Sequence, residues 1–470
     1  MKIKLGLGRA EMTDIARYCG GELYDFTGEL GCSFEYICTD SREADSETMF
    51  IATRGERVDG HDYIMKAVEQ GCRCILCEYL PTDIKGKQVC FAVVENSIDA
   101  FATAAKGYRE GRELSSVAIT GSVGKTTTKE LCASILRQSK NTYSTVGNFN
   151  SVIGMPMSLM EAGEDCSAAV FEMGMSGFGE ISSMSKCAAP AVAMVINIGS
   201  SHLENLKTRE NIARAKLEIA DGLITGGHLL LSGDEPLLRG AKVSGRKIIY
   251  IGLEKRDECE AFAYNIRLSD GCTIFDLDFD GKTYKDLRIN LMGRHFALNA
   301  SFAAVASLLM GCDESDIRRG LEAYITSGLR QNISEREGFT VIADCYNAAP
   351  ESMRAAIDTL SALSCEGRKI AVLGDMRELG EDSDRLHREI GEYLAAAGID
   401  ALVSVGESGM LIAEGARSAG MAEESIAAIT DIEDAEAIAS ATKSFMQKGD
   451  AVLFKASRAV RLERVIESLF

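Results

Sequence analysis

The chain has 470 residues, 46% of them hydrophobic, and its 70 acidic residues against 51 basic residues give a net charge of −19. This composition excludes a disordered chain and, at about 100–200 residues per domain, is long enough for two to four globular domains. The acidic balance also excludes a protein that binds nucleic acid or an anionic membrane through a broadly basic surface.

The first residues, "MKIKLGLGRAEMTDIA", lack the apolar core and cleavage site of a signal peptide. No apolar run in the sequence is long enough to span a bilayer. A cytoplasmic protein whose 15 cysteines are reduced thiols is therefore expected. Cys74 and Cys77 form one C-x-x-C pair, but with no second pair and no neighbouring His pair they are predicted to be buried thiols on a strand.

Residues 1–112 alternate short helices with short strands, which predicts a small α/β domain. Its most unusual segment, Thr39–Ile64, is rich in charged residues and glycine and contains a histidine. Regular secondary structure alone does not require those residues there, so the segment is a candidate for ligand binding.

Residues 113–326 are predicted to form a central domain in which strands alternate with helices, a pattern typical of a parallel sheet. Buried strands are predicted at "SVAIT", at Ala168–Gly174 and at Ala191–Gly199. Alternating segments between Ala261 and Met292 predict an antiparallel extension of this sheet. Helices are predicted from about Phe296 to Met310 and from Asp313 to Tyr324.

Residues 327–470 repeat a strand followed by a helix several times, which predicts a doubly wound, Rossmann-like domain. The whole chain is therefore predicted to be a three-domain α/β protein. The order is a small α/β domain, a central P-loop ATPase-like parallel sheet with an antiparallel extension, and the Rossmann-like domain.

The segment "TGSVGKTTT" joins the predicted strand "SVAIT" to a helix and has the character of a phosphate-binding loop. Gly121 and Gly124 permit backbone N–H groups to converge on an anion, and the helix dipole favours the same charge. Lys125 supplies a cation for phosphate oxygens, and the hydroxyl of Thr126 suits a magnesium ion. The common form of this loop would have a glycine where Ile119 stands.

The shorter pattern T-G-x-x-G-K-T-T resembles the loop of the Mur ligase family, and the resemblance extends over nearly the whole chain. The segments that carry it are "DSREADSETMFIATRGERVDGHDYI", "TVGNFNSVIGMP", "EMGMSGFGEI", "NIGSSHLENL", "RAKLEI", "LMGRHFALNA", "DCYNAAPESM", "LGDMRELG" and "FKASRAVRLERV". The chain departs from the usual family residues at Phe178, Ser201, Phe296 and Ala349.

The resemblance implies an ATP-dependent ligase that forms a C–N bond through an acyl phosphate. The Y-N-x-x-P and L-G-D-M-x-E-L-G motifs resemble those of family members that add D-alanyl-D-alanine to UDP-N-acetylmuramoyl-tripeptide in peptidoglycan synthesis. The family also implies two Mg²⁺ ions, a monomer, and a carbamylated lysine at position 216.

Glu172 lies at the end of one predicted strand and His202 follows the next, so the carboxyl ends of these strands are expected to place them at one edge of the sheet. The resemblance makes Lys125, Glu172, His202 and Lys216 catalytic, and Thr126, Glu172, His202 and Lys216 metal ligands. It assigns ATP to Gly121, Ser122, Val123, Gly124, Lys125, Thr126, Thr127, Asn299, Arg330 and Asp344. It assigns the other substrates to Ser41, Arg42, Asn148, Lys455 and Ser457, of which Ser41 and Arg42 would hold the uridine diphosphate.

Three other functions would account for parts of this pattern. Another Mur-type amide ligase, which adds a diamino acid or glutamate, would share all these motifs. A P-loop GTPase would need an N-K-x-D type of guanine-reading motif, which the sequence lacks. A non-catalytic binding protein derived from the same fold would have no need to retain the residues Lys125, Thr126, Glu172, His202 and Lys216.

Overall fold

The computed structural model describes residues 1–28, 32–55, 58–84, 86–243, 245–253, 255–256, 259–269, 271–326 and 328–470. Over these residues the chain forms three large sheets in succession, each flanked by helices, which confirms the predicted three-part α/β architecture. The domain limits stay predictions. Ser327, the predicted start of the third domain, and Glu56 and Arg57 of the charged segment lie outside the described residues.

The first sheet has the strand order β1-β5-β6-β7-β8-β3, parallel in its centre and antiparallel at both edges. The elements of this region are β1 Lys2–Lys4, β2 Ala10–Glu11, α1 Met12–Cys19, β3 Glu22–Asp25, β4 Ser33–Phe34, β5 Tyr36–Cys38, β6 Thr48–Ile51, α2 Ile64–Glu69, β7 Cys74–Cys77, β8 Cys90–Val93 and α3 Ser97–Arg109. Strands β2 and β4 pair only with each other, in a separate two-stranded sheet. Cys74 and Cys77 are both buried, as predicted. They point to opposite faces of β7, because they are three positions apart on a strand, so they cannot share a metal ion.

The central sheet has nine strands in the order β10-β11-β9-β12-β13-β14-β15-β16-β17. The elements are β9 Ser115–Thr120, α4 Lys125–Leu136, β10 Thr142–Ser144, α5 Gly154–Glu161, β11 Ala168–Glu172, α6 Glu180–Ala188, β12 Val192–Val195, α7 Leu203–Leu206, α8 Arg209–Leu217, β13 His228–Ser232, β14 Lys247–Gly252, β15 Ala261–Ser269, β16 Cys272–Phe279, β17 Lys282–Ile289, α9 Arg294–Leu309 and α10 Glu314–Ala323. Strands β10 to β15 pair in parallel, and β15, β16 and β17 form the predicted antiparallel extension.

The third sheet has the order β18-β19-β23-β20-β21-β22 and is parallel except at β18. The elements are β18 Asn332–Arg336, β19 Phe339–Ala343, α11 Pro350–Ala362, β20 Lys369–Gly374, α12 Ser383–Ala396, β21 Ala401–Val405, α13 Gly409–Ser418, β22 Ile426–Ile429, α14 Ala435–Phe445, β23 Ala451–Lys455 and α15 Glu463–Leu469. This is the predicted doubly wound arrangement.

Direct hydrogen bonds hold the three parts together. The Gly6 N–H donates to the Met160 carbonyl over 2.9 Å, which joins the first sheet region to α5. Gln331 Nε2 donates to the Met292 carbonyl over 2.9 Å and so joins the third region to the start of α9. None of the helices in the described part of the chain is long and apolar enough to cross a membrane.

Strand β12 ends at Val195, four residues before the end of the predicted strand at Gly199. The reason is that residues beyond Ile196 leave the ladder to contact the loop after β9, where the side chain of Asn197 bonds to the backbone of Ser122 and Val123. The contacts of the polar Asn197 side chain with this loop therefore end β12 earlier than the apolar pattern of the sequence predicts.

Helices α12 and α13 approach most closely at Gly391, where a Cβ would lie 1.9 Å from the Ile412 carbonyl oxygen. We therefore expect Gly391→Ala to lower the free energy of unfolding by about 1–3 kcal/mol, because overpacking forces the helices apart. Gly163 has open space around its Cβ position, so Gly163→Ala serves as the control and should change stability by less than about 0.5 kcal/mol. Urea unfolding followed by circular dichroism measures both; equal midpoints for the two variants would contradict this packing.

Candidate active site

The turn after β9 lies at the end of an interior strand of the central sheet, because β9 is paired with β11 on one side and with β12 on the other. A Cβ on Gly121 would lie 2.4 Å from Ile196 Cγ1. A Cβ on Gly124, which has φ +80°, would lie 3.1 Å from the side-chain amide of Asn299. The turn therefore needs glycine at both positions, and α4 begins directly after it at Lys125.

The side chain of Asn197 braces this turn from the neighbouring strand β12. Its Oδ1 accepts hydrogen bonds from the Ser122 N–H over 2.9 Å and from the Val123 N–H over 3.0 Å, and its Nδ2 donates to the Val123 carbonyl over 2.8 Å. The Gly199 N–H adds a bond of 2.8 Å to Ser122 Oγ. Asn197 was not among the predicted site residues, although a polar residue directly after a buried strand in "NIGSSHLENL" was a signal for it.

The side chain of Lys125, the first residue of α4, reaches back over the turn, and its Nζ donates to the carbonyls of Gly121 over 2.7 Å and Ser122 over 3.3 Å. Burial lowers the pKa of the Lys125 amine, while the negative charge of Glu172 acts in the opposite direction. An anion with strong acceptor oxygens would compete well with these two carbonyls for the ammonium group.

Glu172, the last residue of β11, is 3% exposed and is held between two neutral donors. Thr126 Oγ1 donates to Oε2 over 2.8 Å, and Asn150 Nδ2 donates to Oε1 over 2.8 Å. Among the described residues no lysine, arginine or histidine forms an ion pair with this carboxylate. A buried, negatively charged group with neutral partners is suited to a hard divalent cation.

His202 lies at the start of α7 with φ +66°, a left-handed conformation that is uncommon outside glycine. Its Nδ1 lies 2.8 Å from Oε2 of Glu378, which belongs to the third sheet region. This hydrogen bond lowers the pKa of the Glu378 carboxyl. Glu378 was missed as a site residue because its partner is 176 positions away in sequence, although its motif "LGDMRELG" had been recognised.

Lys216, on α8, is 1% exposed. Burial lowers the pKa of its amine well below the ordinary value, and the nearby positive charge of Lys125 lowers it further. No ion pair to Lys216 occurs among the described residues, and its described contacts do not include Glu172 or His202. The expected approach of Lys216 to Glu172 and His202 stays a prediction.

A cleft of about 400 Å³ opens between the central and third sheets. Nine of the predicted nucleotide residues line it: Ser122, Val123, Gly124, Lys125, Thr126, Thr127, Asn299, Arg330 and Asp344. Gly121 lies behind this surface, against Ile196. Asn148 and Lys455, predicted to contact the other substrates, line the same cleft, whose volume is in the range of small-molecule sites.

The far wall of the cleft comes from the third sheet region. The guanidinium of Arg330 lies 3.8 Å from the ring centroid of Tyr346. Lys455 Nζ forms a 2.6 Å ion pair with Asp344 and donates to the Asn347 carbonyl over 3.1 Å. Lys455 was predicted to meet the peptide or dipeptide, but it lies beside a residue that was predicted to bind ATP.

His295 and Phe296 also line the cleft, at the start of α9. Burial lowers the pKa of the His295 imidazole to about 4, so the ring is neutral at physiological pH. His295 was not predicted, because a lone histidine before a helix carries no distinctive signal. Of the departures from the family pattern, Ser201, Phe296 and Ala349 line the cleft, whereas Phe178 is half exposed and packs under the Arg214 guanidinium.

Three predicted substrate residues lie outside the cleft. Ser41 is buried and Arg42 is exposed, and both follow the parallel strand β5 of the first sheet. Arg42 forms a 2.6 Å ion pair with Asp40 and holds the pKa of that carboxyl well below its usual range. Ser457 is buried beneath Asp375, whose carbonyl accepts its N–H over 3.0 Å, and its Oγ has no hydrogen-bond partner among the described residues.

Models of three Mur ligase regions match this chain. The model described as "Mur ligase family, catalytic domain" matches residues 33–110, "Mur ligase middle domain" matches residues 119–307, and "Mur ligase, glutamate ligase domain" matches residues 330–458.

The chain is also similar to individual proteins over almost its whole length. It is 35% identical to the UDP-N-acetylmuramoyl-tripeptide–D-alanyl-D-alanine ligase of Bacillus subtilis, over 92% of each chain. The crystal structure of MurF from Acinetobacter baumannii superposes with a TM-score of 0.89 at 30% identity, over 99% of each chain. MurF from Thermotoga maritima in complex with ADP gives a TM-score of 0.79 at 31% identity, over 92% of this chain and 96% of that one.

Removing the brace of the phosphate loop should weaken nucleotide binding. We expect Asn197→Ala to raise the dissociation constant for ADP by about tenfold, the equivalent of roughly 1.4 kcal/mol, because two backbone N–H groups lose their acceptor and the loop relaxes. Isothermal titration calorimetry measures this. Asn141→Ala, at an exposed position, is the control, and an Asn197→Ala affinity equal to that of this control would refute the brace.

Proposed function

The chain belongs to the Mur ligase family, and we propose that it adds D-alanyl-D-alanine to UDP-N-acetylmuramoyl-tripeptide in an ATP-dependent step of peptidoglycan precursor synthesis. The observation that carries this proposal is the two-sided cleft, in which a phosphate loop and a buried carboxylate face Arg330 and Asp344 of the third region. The 35% identity to a ligase named for this reaction supports the choice of substrates.

The reaction joins a carboxylate to an amine, and ATP makes the carboxylate oxygen a leaving group. The terminal carboxylate of the tripeptide attacks the γ-phosphorus of ATP, which gives an acyl phosphate and ADP. The amine of D-alanyl-D-alanine then attacks the acyl carbon, loses a proton, and phosphate departs from the tetrahedral intermediate. Both steps develop negative charge on oxygens that the site has to stabilise.

Lys125 is the residue of this chain that neutralises charge on the transferred phosphoryl group. Its ammonium now donates to two carbonyls of the turn, and the bound phosphate oxygens replace them as acceptors. The N-terminus of α4 adds its partial positive charge at the same place. The aromatic ring of Tyr346 keeps the Arg330 guanidinium at the opposite wall, where it contributes further positive charge.

The residues around Glu172 fit divalent cations. Glu172 is a buried carboxylate with neutral donors, Thr126 supplies a hydroxyl, and the His202 ring is oriented through Nδ1 by Glu378, as is common for metal-binding histidines. We propose that Thr126, Glu172, His202 and a modified Lys216 hold two Mg²⁺ ions. When bound, these ions neutralise phosphate and acyl oxygens.

Lys216 is proposed to act as a carbamate. Its amine is buried without an ion-pair partner in the described part of the chain and lies near another lysine, conditions that favour the neutral amine. A neutral amine adds to CO₂ and releases a proton, and the product is an anion with two hard oxygen donors. The modification changes the group from a repelled cation into a cation ligand.

The remaining assignments are proposals of the same kind. Ser41 and Arg42 bind the uridine diphosphate, with the Arg42 guanidinium exchanging Asp40 for phosphate oxygens. Asn148, Lys455 and Ser457 contact the peptide substrates. The domains comprise residues 1–112, 113–326 and 327–470, and the chain acts as a cytoplasmic monomer.

The amino acid or dipeptide that the enzyme adds distinguishes the proposed function from that of another Mur-type ligase. ADP release should require both UDP-N-acetylmuramoyl-tripeptide and D-alanyl-D-alanine. Replacing the dipeptide with L-lysine, meso-diaminopimelate or glutamate, each with its matching UDP-linked acceptor, should give only background release. Preferred use of one of these amino acids would assign the chain to the alternative, and no ligation with any of them would favour a binding protein.

Lys125→Ala should abolish ligation while leaving the fold unchanged. Loss of a positioned cation is expected to remove about 3–4 kcal/mol of transition-state stabilisation, which corresponds to a rate loss of several hundredfold. Steady-state ADP release measures the loss, and circular dichroism checks the fold. A variant that retains more than about a tenth of wild-type turnover, a loss of only about 1.4 kcal/mol, would contradict this role.

Lys216→Ala should be nearly inactive, and added formate or acetate should restore part of the turnover by supplying the missing carboxylate. Lys216→Arg is the matched control, because its guanidinium occupies the same space, remains cationic, and cannot be carbamylated. Turnover is measured with and without rigorous removal of CO₂ before magnesium is added. Full activity of Lys216→Arg, or wild-type turnover that ignores CO₂, would show that the lysine is not carbamylated.

A further inference from the structure

Three residues of the first sheet form a row on one face, far from any role given above. Asp25 on β3 is the register partner of Cys90 on β8, and Cys90 is also the register partner of Cys74 on β7. Side chains of directly paired residues project to the same face of a sheet. The pairing alone therefore places a carboxylate and two thiols side by side across three adjacent strands.

A fourth donor reaches this row from outside the sheet. Cys32 precedes β4, and its Sγ, the Sγ of Cys90 and a carboxylate oxygen of Asp25 all lie within 4.8 Å of one another. Cys74 Sγ lies at the same end of the row and donates to the carbonyl of Ser33, the residue after Cys32, over 3.7 Å. Donors from β3, β8 and the segment before β4 thus converge on one point, and Cys74 on β7 lies next to Cys90 in the sheet.

Local hydrogen bonds from Thr27 hold the carboxylate of Asp25 in place beside the cysteines. Thr27 donates to Asp25 Oδ1 through its backbone N–H over 2.8 Å and through its hydroxyl over 2.5 Å. The three cysteines are buried, whereas Asp25 is exposed, so the group is open to solvent on the carboxylate side.

We propose that Asp25, Cys32, Cys74 and Cys90 form a zinc site in the first sheet region. Zinc prefers a tetrahedral set of sulfur, nitrogen and oxygen donors, with Zn–S distances of about 2.3 Å. Tetrahedral geometry then separates the sulfurs by roughly 3.8 Å. The donor atoms of Asp25, Cys32 and Cys90, which lie within 4.8 Å of one another, therefore need a contraction of no more than about 1 Å, and the Cys74 thiol has to exchange the Ser33 carbonyl for the ion. Four protein donors leave no open position, which makes the site structural.

Zinc at this point links residues that are distant in sequence. It joins Cys32, which precedes the short strand β4, to the edge strand β3 and to the inner strands β7 and β8. Because the ion binds the folded arrangement and not the separated strands, its binding free energy adds to the stability of this region. The C-x-x-C spacing of Cys74 and Cys77 does not reveal the site, since Cys77 projects to the other face.

The test measures metal directly on the full, untagged chain, purified under reducing conditions with excess Mg²⁺ to fill the ligase site. We expect one equivalent of zinc per chain by elemental analysis. Replacement of zinc by Co²⁺ should give the intense ultraviolet thiolate-to-cobalt band and the visible bands of a tetrahedral site. The ligase cleft cannot produce the thiolate band, because no cysteine lines it among the described residues.

Matched variants locate the ion. Cys32→Ser and Cys90→Ser should lose the zinc and the thiolate band, and Asp25→Asn, at an exposed position, should weaken binding by at least tenfold with the fold intact. Cys77→Ser, a buried thiol on the opposite face of the same sheet, should keep both signals. The proposal is overturned if wild type gives no thiolate band, if Cys77→Ser loses it equally, or if mass spectrometry finds a disulfide among Cys32, Cys74 and Cys90.

Discussion

The carboxylate of Glu172 is buried between two neutral hydrogen-bond donors, and the catalytic edge of the central sheet is arranged around it. Thr126 binds one oxygen from the first turn of α4, and Asn150 binds the other from the loop after β10. A buried negative charge needs nearby positive charge to be stable, and within the cleft Lys125 provides it electrostatically without forming a direct ion pair. The same unmet negative charge is what makes the site receptive to a divalent cation. The phosphate loop, the metal position and the orientation of α4 are therefore parts of one electrostatic arrangement.

The sequence predicted those features that depend on local pattern. The T-G-x-x-G-K-T-T turn, the apolar strands on both sides of it and the helix after it are adjacent in sequence, so the phosphate loop and the parallel sheet could be recognised. Glu172 was found because strand order in a parallel sheet brings strand ends together. These predictions required only that short segments take their preferred structure.

The parts that sequence reasoning missed depend on contacts between distant segments. Asn197 braces the turn because β12 happens to be the neighbour of β9, and Glu378 reaches His202 only when the third region packs against the central one. Lys455 and Asp344 were each predicted as site residues from their own segments. Their ion pair was not predicted, because it joins positions that are far apart in sequence. The cysteine row of the first sheet is of the same kind, since only strand register shows that Cys74 and Cys90 are neighbours.

Strand β9 is hydrogen-bonded on both sides, to β11 and to β12, whereas the contacts that connect the central and third regions at the cleft are a few side-chain pairs such as Ser200 with Glu351. The two sides of the cleft therefore differ in how readily they can separate. Backbone amides of β9 should exchange with solvent deuterium only when the central sheet unfolds as a whole, while the third region can swing away without breaking any strand pairing. We therefore expect any opening of the cleft to move the wall that carries Arg330 and Asp344 and to leave the phosphate loop in place.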